Sequence, residues 1–182
     1  GRSTDETESE EEMNTDKIFN FIVDKDNLSV KVERSYNAPL DLVWSAWTEA
    51  ELLDKWWGPK PYHVETKSMD FSEGGTWLYA MVSPEGAKHW AIRKFLKIAP
   101  RKSLTFRSLF CDENGKVDAA TTGSTWATSF AEMNGVTLVT NDIRCDTLAH
   151  LEAQIKMGFK EGYSVCLDQL EEVVARLAKK GK

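Results

Sequence analysis

From Leu28 to Tyr36, apolar Leu28, Val30 and Val32 alternate with polar Ser29, Lys31 and Glu33. A period of two puts the apolar set on one face, so this segment is read as the first, half-buried strand. Asn37-Ala38-Pro39 closes it and opens a helix, because proline's fixed φ suits a first helical turn where its missing N–H has no partner to lose. Val43, Trp44, Ala46 and Trp47 give that short helix a broad apolar surface. Thr48-Glu49-Ala50-Glu51 reads as a capping box that starts a second short helix, with Trp56-Trp57-Gly58-Pro59 stopping it.

The pattern then changes. Segments near 62–72, 75–82, 87–99, 102–112, 120–133 and 136–145 are strand-like and are divided by turn residues: Gly74-Gly75, Pro84-Glu85-Gly86, Asn114-Gly115 and Asn134-Gly135. The Asn-Gly pairs are strong hairpin signals, so the expectation is an antiparallel meander. From Thr147 the period returns to three or four, through Leu148, Leu151, Ile155, Phe159, Tyr163, Cys166, Leu170 and Leu177. Such a helix spans roughly 50 Å and crosses a whole sheet. Gly158 and Gly162 inside it imply either close backbone approach or a break into two helices. A long apolar stripe is best buried across the concave face of the meander. The fold class is therefore α+β, with two short helices after the first strand and a curved antiparallel sheet wrapped around a long C-terminal helix.

Composition narrows the function. With 182 residues, 41% hydrophobic, the chain suits one domain over 17–182 and an acidic tail over 1–16. Residues 1–12 hold six acids against Arg2, five of the six net negative charges, and read as disordered. The rest is near neutral and has no basic stripe, which argues against nucleic acid as a partner. No apolar run approaches the roughly 20 residues of a membrane span, so a cytoplasmic location is expected. Cys111, Cys145 and Cys166 lack paired spacing, and His63, His89 and His150 lack any ligating pattern. Neither a disulfide framework, a metal site nor a cofactor is expected.

The run Ala38-Pro39, Val43-Trp44-Ser45-Ala46-Trp47-Thr48 and Trp56-Trp57-Gly58-Pro59 resembles the activator of Hsp90 ATPase homologue 1-like family, within the SRPBCC (START-like, Bet v 1-like) superfamily. The similarity continues through Gly74-Gly75-Thr76-Trp77, Ile98-Ala99-Pro100 and Gly162-Tyr163 to Leu167-Asp168-Gln169-Leu170, covering about residues 28–178. That resemblance implies a helix-grip fold with an apolar cavity between sheet and C-terminal helix. It also brings in chaperone assistance and stress response as functions, without fixing one activity. The chain departs from the family at Ala91-Ile92-Arg93, at Lys97, and at Tyr163, whose hydroxyl needs a partner if buried.

Pocket walls are mainly apolar and aromatic, and the entry loop, sheet face and helix converge on Trp57, Trp77, Tyr79, Trp126, Phe159 and Tyr163 as wall candidates. His89, Arg93 and Arg107 lie within strands. His89 and Arg93 differ by four and share a face. An inward arginine would hold a ligand carboxylate bidentately, whereas an outward one is a solvated surface group. No GxSxG elbow or activated cysteine supports nucleophilic catalysis, and catalytic residues are assigned to none. The expected partner is a small hydrophobic or aromatic molecule, with the chain acting as a carrier or sensor. A chaperone or other protein partner comes second, and a polyketide-cyclase-like or hydrolase-like enzyme third. Monomer and homodimer are both compatible with the sequence.

Overall fold

The computed structural model describes residues 18–180; the acidic tail over 1–16 lies outside them. Eight strands form one antiparallel sheet: β1 (Phe19–Asp24), β2 (Ser29–Tyr36), β3 (His63–Met69), β4 (Thr76–Val82), β5 (Lys88–Ala99), β6 (Ser103–Phe110), β7 (Ser124–Met133) and β8 (Val136–Cys145). Their spatial order is β1-β2-β8-β7-β6-β5-β4-β3, a meander from β3 to β8 closed by the β1–β2 hairpin. Helices α1 (Leu40–Thr48) and α2 (Ala50–Trp56) separate β2 from β3, and α3 (Leu148–Lys156) and α4 (Phe159–Lys180) end the chain. This is the α+β helix-grip arrangement.

Local chemistry explains most of the turns. Asn134 and Gly135 take φ of 53° and 79° between the paired Met133 and Val136, the double left-handed turn that matches strand twist. Asn114-Gly115 does not make the expected hairpin. It sits in the long 111–123 connection, which folds back so that Gly115 lies near Leu78 and Ile92 on the outer sheet face. Those side chains are buried there with Leu109, which is why β4 is apolar on both faces.

Two further expectations change, and one open alternative is settled. Strand β1 was not anticipated, because Phe19-Asn20-Phe21-Ile22-Val23 does not alternate cleanly; pairing with β2 fixes its faces and brings Phe21 to 5.8 Å from the Phe159 ring. The capping box at Thr48 does not form. Glu49 is the N-cap of α2, while the Thr48 hydroxyl donates back to the Trp44 carbonyl at 2.8 Å. Of the two alternatives at the glycines the break is the one found, and it leaves a C-terminal helix of 22 residues. Gly158 takes φ +88° after the α3 C-cap Met157 and separates α3 from α4. A Cβ on Gly162, by contrast, would meet only Pro59 at an ordinary 3.8 Å, so the break lies at Gly158.

Helix α4 buries Tyr163, Cys166, Leu167, Leu170, Val173 and Val174, residues spaced three and four apart. Arg34 of β2 fastens it to the sheet through Asp168 at 2.8 Å and Glu171 at 2.7 Å. The core cluster runs from Trp47 and Trp56 through Trp57 to Trp126, in edge-to-face contacts of 4.9 to 5.9 Å.

Candidate functional site

A cavity of about 900 Å³ lies between the concave sheet face and α3 with the first turn of α4. Buried Trp57, Tyr79, Ala91 and Trp126 form its floor, and Ser108 and Ser124 add hydroxyls. Tyr62, Phe110, Ile155 and Met157 make an exposed apolar rim, Met157 at 75% and Phe110 at 53% exposure. Leu151, Gln154 and His150 of α3 supply the wall opposite the sheet. Thr147 caps α3 by accepting from the His150 N–H at 3.0 Å, and this fixes the helix over the opening.

The floor is held rigidly. The Trp57 indole N–H donates to the Tyr79 hydroxyl at 3.0 Å, and Trp126 donates to Ser124 at 3.1 Å. Behind them the Tyr163 hydroxyl donates to Asn141, whose amide donates to Thr128 at 2.9 Å. The hydroxyl thus finds the partner its burial requires. The Trp56-Trp57-Gly58-Pro59 turn is clamped to α4. Gln169 Nε2 donates to the carbonyls of Trp56 and Gly58 at 3.1 and 2.7 Å, its Oε1 accepts from Lys60 N–H at 3.2 Å, and Cys166 Sγ donates to Trp57 O. Gly58 is needed for close approach: a Cβ there would come within 2.9 Å of the His63 backbone.

The sequence candidates divide sharply. Trp57, Tyr79, Trp126 and Phe159 line the cavity, and His89 stands at its exposed mouth. Trp77 is fully buried one layer down, stacked on Tyr79 at 4.0 Å, and Tyr163 stacks behind Phe159 at 5.4 Å. Arg107 is on the outer face, paired bidentately with Asp146 at 2.7 and 2.8 Å. Its register partner is Lys94, whereas Arg93 stands opposite Ser108 on the inner face. Among the residues that sequence reasoning missed are the rim residues Tyr62, Phe110 and Met157, the hydroxyls of Ser108 and Ser124, and His150, Leu151, Gln154 and Ile155 of α3. A break at Gly158, one of the two alternatives at the glycines, is what sets α3 apart as a separate element.

Arg93 is the unusual group. It is 1% exposed, with its guanidinium carbon 4.0 Å from the centroid of Phe106, 4.4 Å from that of Trp57 and 4.6 Å from that of Trp77. Nη1 and Nη2 have no hydrogen-bond acceptor. Burial lowers its pKa to about 10, so the cation persists at neutral pH. Burial raises the phenols of Tyr79 and Tyr163, and lifts the Cys166 thiol to about 12. None of these three is poised to exchange a proton near neutrality. At the wall, burial lowers the His150 pKa; its Nδ1 lies 2.9 Å from the Thr122 hydroxyl. Among the described residues, no group of three or more His, Cys, Asp or Glu is placed to hold a metal, and no helix is long and apolar enough to cross a membrane.

Residues 37–175 match the family model described as activator of Hsp90 ATPase homolog 1-like protein. No curated protein sequence matches significantly. Among solved structures, a Mycobacterium smegmatis protein is similar with a TM-score of 0.78 and 24% identity, over 87% of this chain and 98% of its own. An Arthrobacter aurescens protein gives a TM-score of 0.80 at 23% identity, over 86% and 91%. A Nitrosomonas europaea protein gives 0.74 at 26%, over 87% and 99%.

Proposed function

The chain belongs to the activator of Hsp90 ATPase homologue 1-like family, and we propose that it binds a small hydrophobic or aromatic molecule in the cavity under α3, as a carrier or sensor. The observation that carries this is the cavity itself, about 900 Å³ with an aromatic floor and a few placed hydroxyls. Small-molecule sites have this size and composition, apolar surface supplying affinity and sparse polar groups supplying orientation. The tyrosine and cysteine pKa values, moved away from neutrality by burial, favour binding over acid–base catalysis.

Native mass spectrometry of protein purified from its own host, before and after denaturation, tests the proposal. The expected result is a discrete released mass, absent from an Ala91→Phe variant whose ring fills the floor. A clean unliganded mass, with no change in tryptophan fluorescence across a panel of lipids and aromatic acids, would overturn it. The family's protein-assisting role would then account for the chain.

A further inference from the structure

The cavity lining contains no aspartate or glutamate among the described residues, while Lys88 stands at its mouth. Beneath its floor lies Arg93, fully buried. Four cavity-lining residues neighbour it on the inner face: Trp57 lies under the guanidinium, Ser108 is its partner across the β5–β6 ladder, Ala91 precedes it by two on the same face, and Tyr79 is diagonal to it on β4. Three aromatic rings lie close to the cation and attract it through their π faces, but none of them offers a lone pair to its N–H groups. Nη1 and Nη2 therefore remain buried donors without acceptors, a costly state for a charged group.

We propose that the ligand is a carboxylic acid with an apolar or aromatic body, its carboxylate accepting from Arg93 Nη1 and Nη2 at the inner end of the cavity. This rests on the cavity reading above and adds the charge and orientation of the occupant: acid inward, apolar body toward the Phe110 and Met157 rim. A carboxylate matches the planar fork with two parallel hydrogen bonds and one compensating charge. Trp57 and Tyr79, joined by a hydrogen bond of 3.0 Å, are the floor residues beside that end. The Tyr79 hydroxyl only accepts in that bond, so its own O–H is available to donate to the same carboxylate.

The test is a calorimetric titration of the full chain at neutral pH with 2-naphthylacetic acid, ionised there, and with its near-isosteric neutral amide. The wild type is expected to bind the acid about tenfold or more tightly than the amide, the size of a charge-assisted hydrogen bond. Arg93→Met is expected to abolish that preference while leaving amide affinity within about threefold, since the apolar floor is kept. Equal affinity for both probes in the wild type overturns the proposal and leaves the cavity reading intact; this comparison needs no variant. Preference that survives in Arg93→Met overturns it as well. Binding of neither probe removes the cavity reading and this proposal together.

Discussion

At the scale of single residues, Arg93 and Arg107 are the instructive pair. Both are arginines within inner strands, and they differ by which face the pleat gives them. Arg107 follows Phe106, which is fully buried on the inner face beside Trp126, so its own side chain must point outward. There it meets Asp146 and is half solvated. Arg93 alternates with Ala91 and Phe95, both buried, and is carried inward with them. A charge in that position is expected to cost the unliganded protein stability. Replacing Arg93 by Met is therefore expected to leave the unliganded protein as stable or to stabilise it by about 1–4 kcal/mol. Urea unfolding measures this, and a loss of stability would mean that the aromatic cage more than offsets the desolvation of the cation.

Among the elements, the contact that organises the site is between α4 and the turn after α2. Backbone carbonyls at a helix end need donors, and Gln169 supplies two N–H bonds to Trp56 and Gly58 while accepting one from Lys60. The turn holds Trp57 in the cavity floor, so one side chain of α4 sets the position of a floor residue from which seven elements separate it in the sequence. Gln169→Leu keeps the volume and leaves these buried carbonyls unpaired, at an expected cost of about 2–3 kcal/mol in chemical denaturation. Weaker ligand binding should accompany it, because Trp57 is no longer fixed. The motif Trp56-Trp57-Gly58-Pro59 is thus legible from sequence as a helix stop, but its tie to Gln169 is not. Nothing in a linear pattern pairs residues more than a hundred positions apart.

Over the whole molecule, the titrations of Asp146 and His150 contribute to the response to acid. The Arg107 guanidinium hydrogen-bonded to Asp146 holds that carboxyl down at about 2, against an ordinary 3.8, with the Gly123 N–H assisting. Its contribution to stability is fully present above 3.8 and is lost as pH falls through about 2. Because the pair is partly exposed, that contribution is about 1 kcal/mol after solvent screening. His150 acts earlier. Burial lowers its pKa below 6.5, with Asp146 opposing and Arg107 reinforcing the shift. The unfolded chain therefore takes up a proton first, and stability declines as pH falls below 6.5. The midpoint of urea unfolding, followed against pH, is expected to lose the earlier decline in His150→Gln and to flatten in the acid range in Asp146→Asn. The sequence by itself determined the kind and order of most elements, because strand and helix periods, the Asn134-Gly135 turn and the proline and glycine stops are local properties. It determined the family too, through motifs that encode those stops. Only the tertiary structure decided which faces close on the cavity, that α3 forms its wall, and that Arg93 is buried without an acceptor while Arg107 is paired outside. Periodicity divides a strand's residues into two faces, but the packing of distant helices and loops decides what each face meets.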